Sequence, residues 1–183
     1  MRDAFPGFDP QPVLKGRGLV LRPLASGDRE ALYAAASDPL IWVQHPASTR
    51  HERAVFDPYF DGLLARGTAL AIREEGTERI IGTSSYYVAQ DDSPALSIGF
   101  TFLERAHWGG TTNAALKALM INHLFQATDA AWFHIGPDNK RSRYATEKLG
   151  ARFVHQRHLD LGNGEGLYDC LRLDRDAWKG RSV

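Results

Sequence analysis

The segment His107-Trp108-Gly109-Gly110-Thr111-Thr112-Asn113 carries residue types suited to holding an anion. It lies where an alternating apolar run gives way to one with helical spacing, and there unpaired backbone N–H groups and the positive helix end can bind a phosphate. Two glycines let the backbone approach a ligand closely, while Thr111, Thr112 and Asn113 add short hydrogen-bonding side chains. No Asp or Glu occurs between Arg105 and Thr128, although acids are favoured in the first turn of an ordinary helix; an acid there would repel a bound phosphate. The same residues would equally make a glycine turn with a Thr or Asn cap. A P-loop is excluded because no Gly-Lys-Ser/Thr follows the glycines. A dinucleotide fold is excluded because G-x-G-x-x-G is missing and the loop comes late in the chain.

Other residues offer chemistry less directly. His134, on a short apolar stretch, could relay a proton, with a hydrogen-bonded sheet histidine as the alternative. Trp42, His45, Tyr86 and Tyr87 could line an acceptor pocket, since aromatic rings supply shape with a polar tip, or could equally serve as core. Cys170 is the single cysteine, so neither an internal disulfide nor a cysteine-built zinc site is available, and a buried small hydrophobe in the last strand is its expected role.

The elements that position these residues follow from periodicity. Residues 1–17 hold three prolines and two glycines and read as an extended lead-in, so a single domain is expected over 18–183. Leu19 to Pro23 reads as a strand, Ser26 to Ser37 as a helix with Ser26 at its N-cap, and Thr49 to about Ala65 as a second helix. Pro39 and Pro46 keep the segment between them from being one clean helix. Thr68 to Arg73 and Arg79 to Val88 form an antiparallel pair across Glu75-Gly76-Thr77, closed by the polar stretch Gln90 to Pro94. Leu96, Ile98, Phe100 and Phe102 alternate with polar or small residues, the period of a strand with one well-buried face, in which Gly99 marks a bulge or a close backbone approach. From Thr112, residues Leu116, Leu119, Met120 and Leu124 fall at helical spacing, with Lys117 and Asn122 on other faces. Ala131 to Ile135 is a short strand and Lys140 to Leu149 a helix stopped by Gly150. Arg152 to Leu161 and Leu167 to Leu173 close as a hairpin across Gly162-Asn163-Gly164. Strands first, then strand-helix-strand-helix, then a hairpin imply a mixed α/β sheet covered by helices.

Composition narrows the function classes. Lys plus Arg and Asp plus Glu both total 22, which removes long-range attraction for nucleic acid or an anionic membrane. The first seven residues have no signal-peptide character and no run approaches the roughly 20 apolar residues of a membrane span. A cytoplasmic protein is expected.

Taken in order, Leu19-Val20-Leu21-Arg22-Pro23-Leu24, Ser97-Ile98-Gly99-Phe100, Trp108-Gly109-Gly110, Asn139-Lys140-Arg141-Ser142 and Glu147-Lys148-Leu149-Gly150-Ala151 resemble the GNAT acetyltransferase superfamily. The nearest branch is that of the ribosomal-protein N-terminal acetyltransferases. The resemblance runs from about Arg17 to Leu173. It implies a mostly antiparallel twisted sheet of about seven strands flanked by about four helices, with the coenzyme between the splayed fourth and fifth strands. It implies acetyl-CoA as cosubstrate, no metal, and transfer of the acetyl group to a primary amine on a small molecule or a protein N-terminus. A second copy of the chain is an open partner; nucleic acid and membrane are not implied. By the same resemblance, backbone at Thr101, Phe102 and Leu103 meets the pantetheine arm and Trp108 to Asn113 wraps the pyrophosphate. Asn139 holds the pantetheine, and Ser142, with Tyr144 as substitute, protonates the departing thiolate. Lys140, Arg141 and Arg143 could meet the coenzyme's 3′-phosphate or form a solvated helix face.

Departures from the family pattern are specific. Of the loop pattern Q/R-x-x-G-x-G/A, this chain has Trp108, Thr111 and Asn113 at the three marked positions. Ser97 stands where many members carry a Glu before the buried strand's Ile-Gly-Tyr, and Thr146 where many carry a Tyr seven residues after the Asn. These departures leave a second function open, a catalytically silent domain that binds acyl-CoA as a sensor or scaffold.

Overall fold

The computed structural model describes residues 5–89, 95–162 and 164–179. The polar stretch Gln90 to Pro94 and Asn163 of the closing turn lie outside them. In chain order the elements are β1 (Leu14–Gly16), β2 (Leu19–Pro23), α1 (Arg29–Ala36), α2 (Arg53–Arg66), β3 (Ala69–Glu74), β4 (Ile80–Ala89), β5 (Ala95–Leu103), α3 (Thr112–Leu124), β6 (Ala130–Ile135), α4 (Lys140–Lys148), β7 (Arg152–Asp160), β8 (Glu165–Asp174) and α5 (Arg175–Lys179), with short 3-10 turns at Ser26–Asp28, Pro39–Ile41 and Arg105–His107. Eight strands form one sheet in the order β1-β2-β3-β4-β5-β6-β8-β7. The expected mixed fold is present, with one strand and one helix more than the spacing suggests.

The extra strand comes from the lead-in. Leu14, Lys15 and Gly16 pair antiparallel with Leu21, Val20 and Leu19, and the intervening Arg17 and Gly18 both take positive φ, 55° and 76°. Positive φ at both central residues matches the right-handed twist of a two-residue hairpin, which is why Gly18 is tolerated there and Arg17 is unusual. The extra helix, α5, buries Trp178, whose indole N–H donates to Asn122 Oδ1 at 2.7 Å.

The chain divides into two compact units: residues 9–85 with 100–120, and residues up to Phe8 with 86–99 and those from Ile121 onward. In the first, α1 and α2 bury Leu32, Trp42, Phe56, Phe60 and Leu63 with Phe102 of β5 in one cluster. The turn Ser26–Asp28 that leads into α1 is closed by Asp28, not by a Ser26 cap as expected. Its carboxylate accepts the Ala25 backbone N–H at 2.8 Å and both Arg22 Nη groups at 2.7 Å. A bidentate guanidinium explains why Asp outcompetes a serine hydroxyl there. α2 ends at Gly67, whose φ of 59° closes the helix through a bond to the Leu64 carbonyl. In the second unit β6 pairs antiparallel with β8 from Ala130↔Asp174 to Ile135↔Asp169, and parallel with β5 at Ser97↔Trp132. Gly150, at φ 96°, follows α4 as expected.

Gly82 on β4 has no room for a side chain, because a Cβ there would sit 2.1 Å from the Phe102 carbonyl oxygen. Backbone cannot yield as a flexible side chain does. Gly82→Ala should therefore lower the thermal midpoint by roughly 5–10 °C, corresponding to about 2–3 kcal/mol in a chain of this size. Calorimetry reads it; an unchanged midpoint would mean that β4 and β5 do not approach this closely.

Candidate active site

The segment His107 to Asn113 occupies the junction its sequence suggested. Trp108 turns inward: its indole N–H donates to the Leu103 carbonyl at 3.0 Å, and its ring packs against the core cluster of α1 and α2. The turn is thereby anchored at one end. Gly109 has φ 72°, and around both Gly109 and Gly110 the space a Cβ would take is open. The helical ladder begins with Ala115 N–H on the Thr111 carbonyl, and the first turn of α3 has no acid. A cleft of about 310 Å³ adjoins this turn, lined by His107, Thr111 and Thr112 and also by Arg17, Glu74 and Glu75. Its charge is mixed, so the helix start, and not the cleft as a whole, has the character of an anion site.

Just upstream, β5 departs from regular strand geometry at Phe100, whose φ is 51°. Thr101 follows, and its hydroxyl lies 2.8 Å from Lys117 Nζ and 2.7 Å from the Ser84 hydroxyl. Lys117 is a correction to the helix as read from spacing. It is 6% exposed, so the face that spacing sets apart from the apolar one is itself buried. Ala115, Leu116, Ala118 and Met120 are buried around it, so this stretch of α3 is enclosed nearly all round. Burial pushes the ammonium down to about 7. A lysine set within Ala-Ala-Leu-Lys-Ala-Leu-Met was the available signal, since a polar face should hold more than one polar residue per turn.

Asn139 is the N-cap of α4; its Oδ1 accepts the Ser142 backbone N–H at 3.1 Å. Ser142 is half-buried, Thr146 one turn later is 4% exposed, and Tyr144 is 61% exposed with Lys148 Nζ 4.4 Å from its ring. Arg143 is committed elsewhere, to Glu147 at 3.0 Å and to the buried Asp169 at 2.6 Å, which also accepts from Gln156. Lys140 and Arg141 are exposed.

The aromatic candidates divide. Trp42, 2% exposed, donates its indole N–H to the Ala36 carbonyl and packs on Phe102 at 5.1 Å. His45 meets the Trp42 ring edge-on at 5.5 Å, and its Nδ1 accepts the Ala47 N–H. Arg50, absent from the residues singled out by sequence, is 6% exposed and lies over Tyr59 at 4.0 Å and Trp42 at 5.1 Å. Tyr86 packs on Phe8 and His123. Tyr87, its neighbour on the opposite face of β4, places its hydroxyl 2.7 Å from His134 Nδ1. Its ring fills the space beside Gly99, where a Cβ would lie 2.8 Å from Cε1. Gly99 is thus the close approach, and the backbone irregularity falls on Phe100. Cys170 is fully buried in β8.

One unit therefore contains Thr101 to Leu103, Trp108 to Asn113, Trp42 and His45. The other contains Asn139, Ser142, Tyr144, Tyr86 and Tyr87.

Comparison with known proteins supplies a family. The model of the acetyltransferase (GNAT) domain matches residues 18–152. Among solved structures, a GCN5-related N-acetyltransferase from Brucella melitensis is similar at 17% identity and TM-score 0.76, over 98% of this chain and 86% of that one. RimJ from Mycobacterium smegmatis, in complex with CoA-disulfide, is similar at 17% identity and TM-score 0.64, over 86% and 82%. The aminoglycoside acetyltransferase AAC(6′)-Ib, in complex with coenzyme A and kanamycin, is similar at 20% identity and TM-score 0.66, over 88% and 98%. At these identities the likeness is one of fold. No curated protein matches by sequence.

The buried amine of Lys117 makes a prediction about stability. Its folded-state pKa lies below that of the unfolded chain, so the unfolded state binds more protons between the two values. The group costs stability increasingly as pH falls from the ordinary lysine range toward about 7. Lys117→Met removes that cost. Between about pH 7 and 9 the wild type should gain stability with pH by up to about 1.4 kcal/mol per unit more than the variant. Denaturant titrations measure both slopes, and equal slopes would mean an unshifted amine.

Proposed function

The chain belongs to the GNAT acetyltransferase family and is an acetyl-CoA-dependent N-acetyltransferase, and we propose that it transfers the acetyl group by direct attack of a primary amine on the thioester. The amine belongs to a small molecule or a protein N-terminus, and the reaction takes place in the cytoplasm. The observation that carries the placement of the coenzyme is the acid-free start of α3, preceded by two glycines with open space around them and anchored by the inward Trp108. Its free N–H groups meet the pyrophosphate. Thr101 to Leu103 line the pantetheine arm, and Asn139 holds it through the amide that its cap leaves available.

Direct attack needs proximity, a neutral amine and a proton donor for the thiolate. Ser142 is assigned as that donor. Its backbone is fixed by the Asn139 cap, and its half-buried hydroxyl projects from the first turn of α4, where the positive helix end also favours a developing anion. Tyr144 is the substitute, although its exposure leaves the phenol in solvent. Trp42, His45, Tyr86 and Tyr87 are the candidates for lining the acceptor pocket.

Three variants test this. Thr112→Asp puts a carboxylate at the phosphates and should weaken acetyl-CoA binding by at least about tenfold in calorimetric titration; affinity held within a few-fold would displace the site. Asn139→Asp keeps the helix cap and removes the amide donor, so thermal stability should hold while acetyl-CoA affinity falls. Ser142→Ala should lower kcat on the order of 10- to 10³-fold with binding nearly intact. Unchanged kcat with chemistry rate-limiting would remove Ser142 from the mechanism. The acceptor panel is kanamycin, the tripeptide Ala-Ala-Ala and a short alkylamine, with thiol release as readout. Binding of acetyl-CoA without release on any amine would point instead to the silent sensor.

A further inference from the structure

We propose that Lys117 is a positioning residue for acetyl-CoA: reaching back from α3, its amine holds the Thr101 hydroxyl and so sets the backbone of Thr101 to Leu103 against the helix whose start takes the pyrophosphate. The inference rests on the coenzyme placement proposed above. It goes beyond that placement by naming the side chain that keeps its two parts, strand and helix, in register with each other.

The contact is built inside one compact unit, which holds Ser84, Thr101 to Leu103 and α3 as far as Met120. Helical side chains lean toward the N-terminus, so the Lys117 side chain is carried back over the first turn of α3. Its Nζ donates to Thr101 Oγ1 at 2.8 Å, and the same oxygen lies 2.7 Å from the Ser84 hydroxyl on β4. Thr101 is thus clamped between helix and neighbouring strand, at the residue that follows Phe100 and its φ of 51°. A strand interrupted in this way has no regular ladder to fix what comes next. The stretch is instead held residue by residue: Thr101 by Lys117, the Phe102 carbonyl in the space that Gly82 leaves, and the Leu103 carbonyl by the Trp108 indole at 3.0 Å. Two of these ties, from Lys117 and Trp108, lead to α3 and the turn before it. Without Lys117, Trp108 holds only the far end of the stretch.

The residue type argues the same way. Lys117 is buried among Ala115, Leu116, Ala118 and Met120. Burial pulls its ammonium down to about 7, so at and below neutral pH the position costs stability that a methionine of similar length would not. For packing, lysine is the poorer choice. What it supplies is a set of N–H donors at the end of a four-carbon reach. The ammonium and the neutral amine both have them, so the bond to Thr101 persists through titration.

Comparing Lys117→Met with the wild type separates positioning from stability, because the two should change in opposite directions. At pH 7 the variant should be at least as stable in denaturant titration, while its Kd for acetyl-CoA in calorimetric titration rises on the order of tenfold. In kinetics the KM for acetyl-CoA should rise and that for the amine stay within about twofold, a split that a lysine serving only the fold would not produce. Thr101→Val should reproduce the loss from the other side of the bond, and it carries the test if Lys117→Met does not fold. Thr101→Ser keeps the hydroxyl and should bind acetyl-CoA within about twofold of the wild type. Lys117→Met combined with Thr101→Val should lose no more than the weaker-binding single variant, since both remove one bond; additive losses overturn the proposal. Affinity that Lys117→Met and Thr101→Val both leave within about twofold also overturns it, and leaves the coenzyme placement standing. Wild-type protein that does not bind acetyl-CoA overturns that placement and this inference together.

Discussion

A phenylalanine in left-handed backbone geometry in the middle of a strand is the constraint on which the site depends. Phe100 at φ 51° costs of the order of 1–3 kcal/mol, and such a residue persists only where its neighbours over-determine it. Here they do. The Arg66 guanidinium lies 4.2 Å over the ring, and the ring packs against the core cluster of α1 and α2. The next residue, Thr101, is tied to both Lys117 and Ser84, and the Phe102 carbonyl is pressed into the space that Gly82 leaves empty. On the other side, Gly99 gives up its side chain to the Tyr87 ring. The strand is thus interrupted at one residue whose two neighbours are each committed to a different set of buried polar groups.

Those two sets share a physical character. Desolvation lowers Lys117 and His134 and raises Tyr87. The same cause acts in opposite directions on bases and acid, and in all three it favours the neutral form. Polar groups in such surroundings are tolerated because each has a partner: Lys117 with Thr101, Thr101 with Ser84, Tyr87 with His134. Positive charge elsewhere is drawn into ion pairs, as with Arg143 and the buried Asp169.

Most of the fold was legible because its elements announce themselves locally. The alternation from Leu96 to Phe102, the apolar spacing after Thr112 and Gly150 behind α4 all came from side-chain period and turn chemistry. What escaped notice depends on distant partners. Three residues of β1 are too short a run to show a period, and their pairing with β2 is visible only once the Arg17-Gly18 turn is formed. Asp28, not Ser26, closes the turn before α1, and Arg22 on β2 reaches it there. Lys117 looked like a polar-face residue because period alone cannot show that α3 is enclosed on several sides. In the candidate site the turn from Trp108 to Asn113 was legible as chemistry, whereas the link between Tyr87 and His134 was not, since 47 positions separate them. Arg50 stayed hidden for a related reason: its aromatic bed of Trp42 and Tyr59 is assembled by the fold.

The departures from the family pattern become intelligible once the side chains are placed. Ser142 and Thr146 are four residues apart on α4 and so lie on one face, one turn above the other. A tyrosine at 146 would be long enough to reach back over that turn, because helical side chains lean toward the N-terminus. Thr146, 4% exposed, is too short and is enclosed. The hydroxyl one turn nearer the helix start occupies the same face, so the loss of a tyrosine at 146 does not by itself imply the loss of a proton donor. Ser97 presents a parallel case. A glutamate there would place a carboxylate at a fully buried position beside the Tyr87 hydroxyl, where its charge would need a compensating cation. A neutral serine is held there without that cost, its hydroxyl 3.1 Å from the Ala95 carbonyl. Both departures exchange one long ionisable side chain for a short hydroxyl with a polar neighbour within reach.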